Sequence, residues 1–391
     1  MIIKGFNFYM EEYFIGGIVG AVLGYFINVV LDKVKDYTLE KIKLRQISTI
    51  RHQLQNLNFK EDTGSMAIDH AVPKYVEDNI ILKQTGKTVI IPIPEKYRKT
   101  LEELGFDFHH YDTIDTTIVE KSFIHIGIAN YAPLISEVSN SVAIDFIKEL
   151  NQGKIRFNGY LFGLEHLMLN RYGENENPIL KIDFYKTDYF TFRVFAKLYQ
   201  KLRKYIVIKD VEDINAVPAF LSSFGIGCYV IATDGIEEFL IIAHRGNNVI
   251  VDKDKFHFSM NEAFSLMDVD IYGNISFTAC LFRGLREELG LNENYKKQIV
   301  DYGFLDLNIL LDRFEMGITC YVRIKFDNAF TMEHFKGLYK SAQDKELETT
   351  ELEFISMKEV RNFIEDHKCQ FSIGCINGLR SLLARYDSNY I

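Results

Sequence analysis

The stretch Arg283-Gly284-Leu285-Arg286-Glu287-Glu288-Leu289-Gly290-Leu291 carries the residue types and spacing from which chemistry is most readily built. Read as a helix, it sets Gly284, Glu287 and Glu288 at positions i, i+3 and i+4, on one face. Carboxylates gathered that way can hold Mg²⁺ against a phosphate, because a hard cation takes oxygen ligands and keeps several waters. Arg283 stands one helical turn before Glu287, so an Arg–Glu pair can brace the same face. Gly290 falls where a left-handed cap would end the helix. The same residues also read as an ordinary amphipathic helix with two surface glutamates and a glycine cap.

The segment resembles the second half of the Nudix box, whose pattern runs G-x5-E-x7-R-E-U-x-E-E-x-G-U, with U a bulky aliphatic residue. Arg283, Leu285, Glu287, Glu288, Gly290 and Leu291 match it. Gly284 stands where the family has its essential glutamate, the earlier glutamate falls on Ile275, and the first glycine falls on Val269. A metal site at Glu287 and Glu288 that lacks its third carboxylate is expected to bind Mg²⁺ poorly, and a hydrolase built on it to be crippled. Glu262, Asp268 or Asp270 could replace the missing ligand from a loop.

The elements that would position this helix follow in order. Gly225 to Thr233 reads as a strand, Asp234-Gly235 as a hairpin turn, and Glu238 to Arg245 as the returning strand. A loop with Ser259, Asn261 and Glu262 leads to the Arg283 helix. Gly303 to Leu311, Met316 to Phe326 and Glu353 to Ile355 read as strands, and Met357 to His367 as a helix. The resemblance thus covers residues 206–391 and implies an α/β/α sandwich there.

The preceding region, 66–205, reads as mixed α/β. Thr88 to Pro94 is expected to be a strand at a sheet edge or one ending there, Phe123 to Ile128 and Ile179 to Tyr185 further strands, and Ile135 to Leu150 a helix. Thr187 is placed to cap a helix from Asp188 to Leu202. His109, His110, Asp112 and Asp115 fit no metal-ligand spacing and read as loop residues. Residues 36–65 form an amphipathic helix and linker: Leu44, Ile47, Ile50, Leu54 and Leu57 share a face, and Glu61 to Ser65 breaks it.

The first 35 residues differ in kind. Tyr13 to Leu31 is nineteen residues without a charge, which as a helix spans roughly 28 Å, the hydrocarbon thickness of a bilayer. A cleaved signal peptide would need a basic start and a shorter apolar run; here Glu11 and Glu12 precede the run. Lys33, Lys35, Lys41, Lys43 and Arg45 follow it while Lys4 alone precedes it, which puts the long C-terminal part in the cytoplasm of a single-pass inner-membrane protein. Gly16, Gly20 and Gly24 fall on one stripe, a spacing that lets helices associate in lipid and points to a homo-oligomer.

Composition agrees with this division. The chain has 391 residues, 47% hydrophobic, enough for two or three domains. A net charge of −9 argues against general binding to nucleic-acid polymers. Five scattered cysteines, with no CxxC pair, suit reduced thiols and give no zinc spacing.

Together the expected pattern is α+β: one N-terminal transmembrane helix, a mixed α/β middle and a C-terminal Nudix-like sandwich. A membrane helix joined to a Nudix-like domain with an altered box resembles the SMODS-associated NUDIX effectors of bacterial CBASS anti-phage systems. That resemblance implies a sensor for a cyclic nucleotide made by a CD-NTase-type synthase, whose membrane part disrupts the inner membrane. Phosphodiesters and bases call for cationic donors and aromatic platforms; Arg245, Asn247, Lys253, Asn261 and Arg283 are the candidate ligand contacts, with His244 and His257 nearby. A membrane-anchored hydrolase of a nucleoside diphosphate derivative and an inert scaffold are the alternatives.

Overall fold

A computed structural model describes residues 31–55, 64–106, 115–155, 157–172, 177–246, 252–343 and 349–391. The 13–30 part of the apolar run, including Gly16, Gly20 and Gly24, lies outside the described residues, as do His109, His110, Asp112 and Asn247. Among the described residues no helix is long and apolar enough to cross a membrane.

A helix, α1, runs over 31–55. The strands are β1 (Ser65–Tyr75), β2 (Ile80–Thr88), β3 (Tyr160–Tyr172), β4 (Asn177–Asp188), β5 (Phe224–Thr233), β6 (Glu238–Arg245), β7 (Phe256–His257), β8 (Met260–Ala263), β9 (Ile299–Leu310), β10 (Glu315–Lys325) and β11 (Thr349–Ser356). The helices after α1 are α2 (Glu95–Glu103), α3 (Thr117–His125), α4 (Ala132–Asn151), α5 (Tyr189–Leu202), α6 (Val211–Ala216), α7 (Phe277–Leu289), α8 (Met332–Lys340), α9 (Val360–His367) and α10 (Cys375–Asp387).

The larger sheet has the order β1-β9-β10-β5-β6-β11, with β7 paired to β6 and β8 to β5. β5 and β10 run parallel in unbroken register from Phe224↔Met316 to Thr233↔Lys325; the sheet's other pairs are antiparallel. The Asp234-Gly235 turn closes β5 onto β6: Gly235 takes φ 89°, and Asp234 accepts from the Ile236 and Glu237 amides, each at 2.9 Å.

The two-residue period of β5 explains the layering. Phe224, Ile226, Cys228 and Val230 face the core that holds Phe277, Leu281 and Leu285 of α7. Tyr229 and Ile231 face the opposite layer with Val360 of α9 and Leu379, Leu382 and Leu383 of α10. The C-terminal half is therefore a sheet covered on both faces.

The smaller sheet, β2-β4-β3, belongs to the middle region. Its Phe184 packs against Phe224, Phe264 and Phe277, so the two sheets share one core. The strand after the linker, β1, pairs with β9 rather than with the small sheet, which stitches the N-terminal part into the larger one. On α1, Ile50 and Leu54 are buried against Ala384 of α10, whereas Leu44 is 41% exposed and does not join that contact.

Several expected elements are corrected. Phe123 lies in α3, not in a strand; a short apolar run satisfies either period, and Ile118, Val119 and Phe123 are buried along one helical face. The strand expected at Thr88 to Pro94 is instead β2, ending at Thr88, because Pro92 and Pro94 have no amide to give a ladder. Asp188, not Thr187, caps α5 by accepting from the Thr191 amide at 2.8 Å. Asn261 and Glu262 sit in β8 rather than in a loop.

Candidate functional site

Helix α7 starts at Ser276, whose hydroxyl accepts from the Ala279 amide at 3.2 Å. It stops at Gly290, where φ is 74° and the amide donates to Arg286 O at 3.1 Å. Gly284 faces inward and needs to be glycine. A Cβ there would lie 2.6 Å from Glu262 Cγ and 2.6 Å from Met260 Sδ, both on β8. The space that a glutamate at 284 would enter is thus occupied by Glu262, which brings a carboxylate to the box helix from a neighbouring strand.

Arg283 gathers the acids around it. Its Nε donates to Asp268 Oδ1 at 2.7 Å, and Nη2 to Asp268 Oδ2 at 3.0 Å and to Ala263 O at 2.8 Å. Nη1 donates to Glu262 and, at 3.2 Å, to Glu287 Oε2. Asp268 is fully buried, while Glu262 and Glu287 are largely so. Burial works against charge on Arg283, but Asp268 and Glu262 outweigh it and hold the guanidinium above its ordinary pKa. Asp268 also accepts from the Ser265 amide at 2.8 Å.

The expected metal pair divides. Glu287 is held by Arg283 and by Arg286 at 2.6 Å, whereas buried Glu288 turns to β8, where Oε1 accepts from the Asn261 amide at 3.0 Å. Asp270 is engaged in its own turn, accepting from the Tyr272 and Asn274 amides at 2.8 Å. Among the described residues no three side chains converge as a cation site. The carboxylates of Glu262, Asp268 and Glu287 are engaged by Arg283 and Arg286, and Glu288 by the Asn261 amide, so in this arrangement their oxygens are not gathered to hold a Mg²⁺.

Beside this cluster opens a cavity of about 600 Å³, lined by Arg245, Asn261, Glu262 and Arg313 from the larger sheet and its loops, and by α5. A narrower chamber of about 90 Å³ shares Asn261, Glu262 and Arg313 with it and is floored by Gly225, Gly227 and Gly317. Arg245, at the end of β6, has a buried Nε with no hydrogen-bond partner. Arg313, in contrast, is tied to Glu315 at 2.7 Å and Asp312 at 3.1 Å. Burial pushes the Asp252 carboxyl, also on the lining, above its ordinary range.

The candidate ligand residues therefore separate. Arg245 and Asn261 line the cavity; Lys253 is exposed and does not. Arg283 does not line it either, since its donors are committed to acids and to a carbonyl. His257 is buried, and burial followed by the nearby charges of Arg245 and Arg313 lowers its pKa well below the ordinary value, leaving a neutral ring edge-on to Phe258. His244 lies 3.6 Å from Asp254 and packs edge-on to Phe256. Residue spacing did not reveal Arg313 or the α5 lining; the stripe Tyr189, Phe192, Arg193, Ala196 and Lys197 was the available signal.

No family model and no curated protein matches the sequence. Among solved structures, DR0079 of Deinococcus radiodurans is 12% identical with a TM-score of 0.27, over 41% of this chain and 81% of that one. A candidate NUDIX hydrolase of Listeria monocytogenes is 14% identical with a TM-score of 0.22, over 43% and 96%. A bifunctional NMN adenylyltransferase/ADP ribose pyrophosphatase of Francisella tularensis, complexed with AMP and a Mn ion, is 11% identical with a TM-score of 0.26, over 51% and 63%. Nudix-type folds thus recur among the structures this chain is similar to, at superpositions too loose to carry an argument about its chemistry.

Proposed function

We propose that the C-terminal half is a Nudix-like nucleotide-binding domain that holds its ligand without hydrolysing it. In this reading the whole chain is a membrane-anchored effector of a CBASS anti-phage system. A cyclic nucleotide from a CD-NTase-type synthase binds the domain, the 13–31 helices associate, and the inner membrane is disrupted, arresting growth. The observation that carries the non-hydrolytic part is the closure of the acid cluster by Arg283, with Glu262 filling the slot beside Gly284. A cavity lies next to it whose lining includes Arg245, with a buried Nε that makes no hydrogen bond, and this donor supports binding of an anion. Architecture and resemblance to the SMODS-associated effectors support the rest. Ligand binding drives assembly only if the ligand favours one assembled state over another.

The full chain in detergent, given a panel of nucleoside diphosphate derivatives with Mg²⁺ or Mn²⁺, is expected to show no turnover. Rates near ~1 s⁻¹, within the ordinary enzyme range, would sink the sensor in favour of the hydrolase. Calorimetric titration with cyclic nucleotides tests the ligand. In cells, Gly20→Leu is expected to keep ligand affinity and lose ligand-triggered dye leakage; full leakage from that variant removes the glycine stripe from the mechanism. Protease added to intact spheroplasts should spare the C-terminal domain.

A further inference from the structure

We infer that the middle region is half of the ligand site: α5 forms one wall of the cavity, and Lys197 on it takes a second anionic group of the ligand across from Arg245. This rests on reading the cavity as the nucleotide site.

Tyr189, Phe192, Arg193, Ala196, Lys197 and Gln200 all line the cavity. They recur at helical spacing, so a single face of α5 is presented to it. The cations around the space are not equally available. Arg193 is bidentate to Glu149 at 2.9 and 3.0 Å, and its guanidinium lies over the Phe146 and Tyr189 rings. Arg313 is held by Glu315 and Asp312. Lys197 instead meets Asp145 at 2.9 Å with both side chains 36% exposed, and Ser141 at 2.8 Å. A half-exposed lysine pair of this kind is worth little and is readily exchanged for a better anion. Arg245 keeps a buried Nε with no hydrogen-bond partner, and the Asp252 carboxyl on the same lining feels its charge.

Two recruitable cations therefore stand on two walls, one from β6 and one from α5. A ligand with a single phosphate can satisfy Arg245 alone. A ligand with two separated phosphodiester groups engages both. Lys197 is on this account a specificity-determining residue, favouring cyclic oligonucleotides over cyclic mononucleotides.

The test uses the full chain in detergent, titrated calorimetrically with cyclic dinucleotides and with cyclic mononucleotides. Lys197→Met is expected to weaken cyclic dinucleotide binding about tenfold or more, to leave mononucleotide binding unchanged, and to be rescued by Lys197→Arg. Arg245→Met should weaken both by about 10- to 100-fold, as loss of a charge-assisted hydrogen bond does. An unchanged melting temperature for Lys197→Met separates a ligand contact from a merely structural pair. Dinucleotide binding indifferent to Lys197→Met, or both ligand classes weakened equally, overturns the inference. If the parent binds no cyclic nucleotide, a linear dinucleoside polyphosphate is titrated next. Binding that depends on Lys197 then keeps the two-anion wall while the cyclic-nucleotide reading falls, and absence of binding removes both.

Discussion

Arg283 and Arg245 sit on either side of Glu262, which touches the first and lines the cavity of the second. Arg283 is surrounded by Asp268, Glu262 and Glu287. Arg245 reaches a cavity with its Nε unsatisfied. The difference teaches how neighbouring arginines can be given opposite tasks by the acids around them. With glycine at 284, the Glu262 side chain from β8 packs beside α7, and Arg283 and Arg286 take up the carboxylates gathered there. The Arg245 Nε on the neighbouring cavity has no such partner.

Breaking the closed cluster should have the largest effect. Arg283→Ala leaves Asp268 and Glu262 crowded together without their counter-charge, while Glu287 keeps Arg286, and breaking a buried pair by removing one partner costs about 3–5 kcal/mol. Urea denaturation would measure it; a loss below about 1 kcal/mol would mean that the acids relax into solvent and that the cluster is not closed.

Gly284→Glu sharpens the same comparison. The new side chain meets Glu262 and Met260 within 2.6 Å of its Cβ, so overpacking should destabilise the fold by up to about 3 kcal/mol. The double variant with Glu262→Ala should recover most of that stability. Nucleotide hydrolysis with Mg²⁺ by the double variant but not by Gly284→Glu alone would show that Glu262 occupies the retired catalytic space.

A second arginine paired with an acid, outside the cavity lining, provides a control. Arg385, fully buried on α10, meets Asp306 at 3.0 Å and donates to Pro73 O and Ala71 O at 2.5 and 2.6 Å. Burial pushes the Asp306 carboxyl up, but Arg385 and His70 pull it down from 3.8 to about 2. A carboxylate with a depressed folded-state pKa contributes stability that is full above 3.8 and lost as pH falls through about 2. That contribution is on the order of 2 kcal/mol. Urea midpoints for Asp306→Asn should therefore fall less steeply than those of the parent across this acid window; parallel slopes would dismiss the pair as the cause.

Arg245→Met closes the comparison with the smallest effect. Its Nε has no hydrogen-bond partner to orphan, so stability should stay within about 0.5 kcal/mol of the parent. A large destabilisation would mean that Arg245 holds the fold, as Arg283 does, and is not reserved for a ligand.

Much of the C-terminal half was legible from local chemistry. The Asp234-Gly235 hairpin, the flanking strands and the Gly290 cap depend on turn residues and periodicity that act within a few positions. The Arg283–Glu287 pair was equally local, one helical turn apart. Short apolar runs were not legible, because Phe123 satisfies a strand or a helix until its neighbours choose. Lys253 and Arg283 looked like ligand contacts by charge alone, and only packing separated a solvated lysine and a committed arginine from Arg245.

The amino-acid order by itself determined that α7 carries Gly284 among its acids, one carboxylate short of the Nudix pattern it resembles. It could not determine what replaces the missing group. Asp268 and Glu262 lie 15 and 21 residues before Arg283, Asp306 lies 79 before Arg385, and α5 meets the cavity from another sheet's side of the core. Such contacts depend on which strand faces which helix once the core has closed. The tertiary structure alone decided that a guanidinium closes the acid cluster and that the middle region walls the cavity, because burial makes an unmatched charge costly and so selects the partners.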